Sequence, residues 1–222
     1  ITKVAPPSQL TCTPEIIIAQ SMFLVTTADR RFWRAEEKIL FLGEWCKIFN
    51  QEQVWGKLDY EVLPYHWDDR SRLFEDYKYI DELYERVLGD LADELNKLHN
   101  VKYSARYWRI VVGPWLHCFI EILYDRYLSI ASAIESGKVT LTWLPSNCEW
   151  EVADDFNCFG SWLGGHEYNL FLYSRLIKGL GGVNYEKINV PLKYEKNRVK
   201  VKPKEQNALI KAIEYLSKMV PD

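Results

Sequence analysis

The chain has 222 residues, 48% hydrophobic and 27% charged, enough for one sizeable core or one domain with a small addition. Its 28 basic and 31 acidic residues leave a formal net charge of −3, so no general pull toward nucleic acid or an anionic membrane is expected, and only a local basic patch stays open. The five cysteines (Cys12, Cys46, Cys118, Cys148, Cys158) are odd in number and lack C-x-x-C spacing, which argues against a disulfide framework and a zinc ribbon and for a reducing cytoplasm.

Residues 1–21 are rich in Pro, Thr and Ser and read as a leader or flexible segment. They lack the basic start and apolar centre of a signal peptide. No uncharged apolar run reaches about 18 residues, so no spanning helix is expected, and peripheral membrane association stays open. From Met22 on, the chain reads as a single domain over 22–222.

The first strong strand is FLVTT at 23–27, ending at Ala28-Asp29-Arg30. A second apolar run, KILFLGEW at 38–45, is broken by Gly43. A third, YEVLPY at 60–65, ends near Pro64. These runs are continuous rather than alternating, as expected of parallel strands buried on both faces. Over 70–99, Leu73, Tyr77, Ile80, Leu83, Val87, Leu91, Leu95 and Leu98 recur in steps of three and four, which predicts a long helix with one buried face. Ser104 then caps a second long helical segment, apolar on more than one side, in which Pro114 predicts a kink or an end and Gly137 a stop. VTLTWL at 139–144 is a fourth strand. A third helix is expected over 167–180, stopped by Gly181-Gly182, then a basic β-like or irregular stretch to 203 and an amphipathic helix over 204–219. The order predicts an α/β fold with an open, mostly parallel, Rossmann-like sheet flanked by long helices.

In such sheets ligands bind beyond the carboxyl ends of the strands. Three of these ends carry polar groups: Asp29 to Trp33, Gly43 to Cys46, and His66 to Arg70. If the strands are parallel neighbours, the three loops share one rim. A histidine there suits general base chemistry near neutral pH, with a neighbouring aspartate to fix its tautomer. Asp68 or Asp69 also suits the N-cap of the long helix. His66, Asp68 and Asp69 form only a partial metal set, so no metal is assigned. Glu44 follows an apolar run and reads as a rim carboxylate or a solvent-facing residue of a bulge, with Gly43 permitting close approach of a ligand. Arg106 and Arg109 flank Tyr107 and Trp108 at a helix start, where guanidinium forks suit anions or simply snorkel from a buried helix. Asp125 and Arg126 lie among apolar residues and read as a buried ion pair. His166, in GSWLGGHEYN, opens a helix after two glycines, but the spacing matches neither the P-loop nor GxGxxG. Nine Trp and 14 Tyr mostly fill a core, and a few suit stacking on sugars or bases.

Five segments in order, FLVTTADRRFW, ILFLGEWC, YEVLPYHWDDR, LYERVL and YWRIVVGPWLHCFIEILYDRYLSI, resemble the N-terminal part of a family of transferases encoded in bacterial O-antigen and surface-polysaccharide gene clusters. The resemblance implies a glycosyltransferase-like enzyme for O-antigen (lipopolysaccharide) assembly, with two Rossmann-like lobes in a GT-B-like arrangement. It implies a nucleotide-sugar as donor substrate, no further cofactor, and a glycan or lipid-linked acceptor. A CMP-linked acidic nine-carbon sugar is among the conceivable donors. Members are longer than this chain, so the chain is expected to be one lobe whose C-terminal partner lobe is missing, with weak activity alone. On that reading His66 or Asp69, with Glu44, supplies the base. Arg70, Arg106, Arg109 and Arg31 hold anionic groups, and Trp33, Trp45 and Trp67 stack on sugars. Asp29, Gly43, Asp68 and His166 complete the expected substrate contacts. The alternatives are a non-catalytic carbohydrate- or nucleotide-binding domain and a scaffold module.

Overall fold

A computed structural model of the protein describes residues 21–147, 153 and 155–191. The expected leader (apart from Ser21), Cys12, Cys148, most of the basic stretch and the helix expected over 204–219 lie outside the described residues. Five strands form one sheet: β1 (Met22–Val25), β2 (Ile39–Phe41), β3 (Tyr60–Val62), β4 (Val139–Pro145) and β5 (Asn184–Ile188). Their order is β3-β2-β1-β4-β5 and every neighbouring pair is parallel. β1 and β2 are buried at every position, which explains their unbroken apolar sequence.

The register places Phe23, Val25, Ile39, Phe41, Tyr60 and Val62 on one face. The connections from β1 to β3 cover that face without a long helix: Trp33 meets Phe41 edge-on at 5.1 Å, and Trp55 meets Tyr60 at 6.2 Å. The β3–β4 and β4–β5 crossovers run the other way along the sheet, so right-handedness sends their helices to the opposite face. From there Ile130, Ala133, Tyr173 and Ile177 enter the core of the sheet.

The 30-residue helix α2 (Arg70–His99) follows a four-residue α1 (Glu52–Trp55), and it ends at Asn100 in the left-handed region, φ 54°. The segment after Ser104 is not one kinked helix but two: α3 (Ala105–Val111) and α4 (Gly113–Glu135). Pro114 sits in the first turn of α4, where its missing N–H costs no hydrogen bond. α5 (Phe156–Leu163), which the sequence reading missed, precedes α6 (His166–Leu180). The residues ending α4 and α6, Gly137 and Gly181, take positive φ as expected of helix stops.

α2 returns on α3 and α4 as an antiparallel hairpin. Tyr124 Oη donates to Asp76 (3.0 Å), Arg109 to Glu85 (2.5 and 2.6 Å), and Trp108 Nε1 to Asn96 Oδ1 (3.0 Å). A second core, with Ile80, Leu83, Val87, Leu116, Phe119 and Phe159, fills this hairpin and the α5 contact. α4 meets the end of β3 at Asp125 and then descends toward the start of β4, so its first half and its α2 partner stand beyond the carboxyl edge of the sheet. Among the described residues no helix is long and apolar enough to cross a membrane.

Candidate functional site at the carboxyl rim

Because all five strands are parallel, their carboxyl ends share one edge, and the loops after β1, β2 and β3 are neighbours there. The strand order reverses between β1 and β4, the place where open α/β sheets leave a crevice. The loop after β3 enters a short 3-10 turn, His66–Asp68, which tucks His66 inward until its side chain is 2% exposed.

Here His66 meets α4. Its Nε2 lies 3.2 Å from Asp125 Oδ1. That separation is within ion-pair reach, although Nε2 is poorly aligned with the oxygen for a hydrogen bond. Tyr65 Oη donates to the same carboxylate oxygen (2.9 Å), and Arg126 Nη1 pairs with Oδ2. Arg126 Nε donates to Asn169 Oδ1 (2.8 Å), whose amide in turn donates to the Leu163 and Gly165 carbonyls (2.8 Å each). The network therefore joins the end of β3, the middle of α4 and the start of α6. Burial alone pushes the Asp125 carboxyl up, but His66, the Arg126 charge and the Tyr65 hydroxyl together hold it below the usual carboxylate range. The Tyr65 hydroxyl is pushed well above its ordinary value by burial and by the Asp125 charge.

Two clefts open on this cluster. One, about 500 Å³, runs between Gly43–Trp45 and Val62–Tyr65. The other, about 370 Å³, lies against Trp67, Tyr77 and Ile122. Tyr65, Asp125 and Arg126 line both, whereas His66 lines neither and stands behind Asp125. Arg126 Nη2 has no partner among the described residues.

The other expected site residues fall into three groups. Around the first cleft are Gly43, Glu44, Trp45 and Asp68. Glu44 is 77% exposed and paired with Lys47 (3.0 Å). The Trp45 ring lies on Gly43: a Cβ added there would fall 2.1 Å from that ring unless the ring moved. Asp29 and Arg31 form a second group after β1, with two bonds of 2.9 Å from Arg31 Nε, while Arg31 Nη1 reaches the Pro191 carbonyl (3.0 Å) after β5. Burial pushes the Asp29 carboxyl up, but the Arg31 bonds and charge outweigh it, helped by His166 nearby at the start of α6, and the net shift is downward. The third group is structural or distant. Asp69 caps α2, accepting from Ser71 N (2.9 Å) and Arg72 N (3.4 Å), and the exposed Arg70 follows it. Trp67 donates to Asp76 (2.9 Å) and, unlike the others of this group, also lines the second cleft. Trp33 is 7% exposed and donates to the Thr27 carbonyl (2.8 Å), so it belongs to the core. Arg106 and Arg109 lie at the far end of the hairpin and are not brought to the rim; Arg109 is held by Glu85.

Sequence reasoning took Asp125 and Arg126 for an ion pair, which they are, but did not join them to His66, and it missed Tyr65 and Asn169. The available signal was two adjacent charges inside the apolar stretch EILYDRYLSI. Among the described residues no group of three or more His, Cys, Asp or Glu is placed to hold a metal ion.

No curated protein and no solved structure matches the chain. A family model described as LIC12162 family transferase matches residues 22–221. That match spans nearly the whole chain, and the chain belongs to the LIC12162 family of transferases.

Proposed function

We propose that this transferase moves a sugar from a nucleotide-sugar donor to a glycan or lipid-linked acceptor in bacterial surface-polysaccharide (O-antigen) assembly, with an acidic nine-carbon sugar among the donors it would take. The chain would act as the amino-terminal lobe, completed by a second lobe that grips the nucleotide. The observation that carries the reading is the Tyr65–His66–Asp125–Arg126 cluster, which presents an ionised carboxylate and a cation to two clefts at the carboxyl rim.

In the proposed step an acceptor hydroxyl attacks the anomeric carbon. The new C–O bond forms as the bond to the donor phosphate breaks, and the nucleotide leaves with that electron pair. The acceptor proton passes to Asp125, which its neighbours keep ionised; the same neighbours lower its basicity, so it takes the proton late, as the hydroxyl acidifies on bonding to the anomeric carbon. His66 would act as a positioning residue behind it, and Tyr65 would orient the carboxylate. Arg126 Nη2 suits the donor phosphate or a sugar carboxylate. Trp45 offers a ring face at the first cleft, with Glu44 and Asp68 as acceptors for sugar hydroxyls.

The test incubates the longest natural form with a panel of nucleotide sugars and oligosaccharide or lipid-linked acceptors, read by mass spectrometry. Asp125→Asn and Arg126→Lys run beside the wild type, with urea denaturation to confirm folding. Transfer lost in folded Asp125→Asn supports the reading. Transfer unchanged in both variants removes the cluster from the chemistry. Sugar or nucleotide binding without turnover by any form would favour the binding-domain alternative.

A further inference from the structure

The end of the hairpin farthest from the rim carries a surface that the proposed chemistry does not use. On α3, Tyr107, Ile110 and Val111 follow i, i+3, i+4 spacing and share a face. They are 42%, 71% and 53% exposed. Tyr103 lies against Tyr107 with ring centroids 4.2 Å apart and extends the patch. This is not a frayed end. Trp108, on the other side of α3, is buried and bonded to Asn96, and Arg109 is clamped by Glu85.

Along the chain the tip segment itself is one-sided in charge, while the α2 turns beside it carry Asp90, Asp93 and Glu94. Between Glu94 and Glu121 the sequence has no acidic residue but four cations, Lys97, Lys102, Arg106 and Arg109, in a chain of net charge −3. Lys97 is paired with Glu94 and Arg109 with Glu85. Lys102 and Arg106 are exposed and have no acidic partner among the described residues. Exposed aliphatics, tyrosines and uncompensated cations together are the composition of a segment that sits in a lipid interface.

We propose that this tip, the exposed face of α3 with Lys102 and Arg106, docks onto an anionic lipid bilayer. A protein partner fits less well. α3 has seven residues, and one face of so short a helix falls far below the roughly 800 Å² per partner of a stable protein interface. A bilayer needs only a few inserted apolar side chains and basic neighbours. From Asp76 to Asn96 the hairpin spans about 30 Å at roughly 1.5 Å per residue, so the tip is remote from Asp125 and the inference stands apart from the proposed chemistry.

The test is co-sedimentation of the full chain with phosphatidylcholine vesicles, with and without a one-third share of phosphatidylglycerol. Wild type should bind the anionic vesicles and release in high salt. Lys102→Glu with Arg106→Glu should weaken binding roughly thirtyfold or more, taking about 1 kcal/mol per basic residue. Ile110→Asp with Val111→Asp should abolish it. Unchanged circular dichroism and melting show that both variants fold. Equal binding by wild type and variants, or no binding by wild type, overturns the proposal. So does concentration-dependent dimerisation of wild type, lost in the aspartate variant, without vesicle binding.

Discussion

His66 Nε2 and Asp125 Oδ1 lie 3.2 Å apart, although one belongs to the loop after an edge strand and the other to the middle of a helix packed behind the sheet. Both side chains are nearly fully buried, at 2% and 7% exposure. Removing the carboxylate strands three partners at once: His66, Tyr65 and Arg126. Asp125→Ala should therefore destabilise the fold by about 3–5 kcal/mol, the range for breaking a buried pair. Asp125→Asn, which keeps the shape, should cost less. Urea denaturation of the two variants checks this, and a loss below about 1 kcal/mol for the alanine would mean that the cluster is wetter and weaker than its burial implies.

The reach of the sequence can be judged on the same residues. α2 was legible because its apolar residues keep helical spacing for its full length and Asp69 is a strong capping residue. The rim was legible in kind: parallel strand ends with polar loops. The partner of His66 was not, because Asp125 arrives by tertiary packing, and sequence adjacency pointed instead to Asp68 and Asp69. Trp33 looked like a rim aromatic, yet its loop folds back and buries the ring against Phe41. α5 was hidden because it is short and Gly160 interrupts its helical signal.

The capping role of Asp69 separates stability from ligand contact. Asp69→Ala leaves the first amides of α2 without their side-chain acceptor and should cost about 1 kcal/mol. Substrate affinity and turnover of the folded variant should stay unchanged, since Asp69 lines neither cleft. Asp69→Ser should recover most of the stability. A large fall in turnover with stability intact would place Asp69 in the chemistry after all.

Gly43→Ala tests the wall of the first cleft. The backbone there is extended, at φ −179°, so alanine meets no torsional strain. The obstacle is the Trp45 ring, 2.1 Å from the added carbon. Trp45 is 37% exposed and can swing outward, so the expected stability loss is small, within about 1 kcal/mol. Sugar or nucleotide affinity should change more than stability does. Near-unchanged ligand affinity would remove Trp45 from the binding surface.

The acid limb of stability should show Glu61 directly. This β3 carboxylate accepts from Lys138 (2.7 Å) and Lys38 (2.8 Å), tying the edge strand to the segments that open β2 and β4. Those two bonds pull its carboxyl from an ordinary 4.5 down to about 2. A group whose folded value is depressed contributes stability above its unfolded value and loses it as pH falls through the folded one. Asp29 and Asp125 are lowered too and act in the same direction. The fold should therefore weaken progressively as pH drops from about 4.5 to about 2. Glu61→Gln should be less stable than wild type at neutral pH, and the difference should shrink across that window and vanish below it. Urea midpoints of both proteins, followed across that range, measure the gap. A gap that stays constant with pH would mean that the lysine bonds contribute nothing through the charge of Glu61.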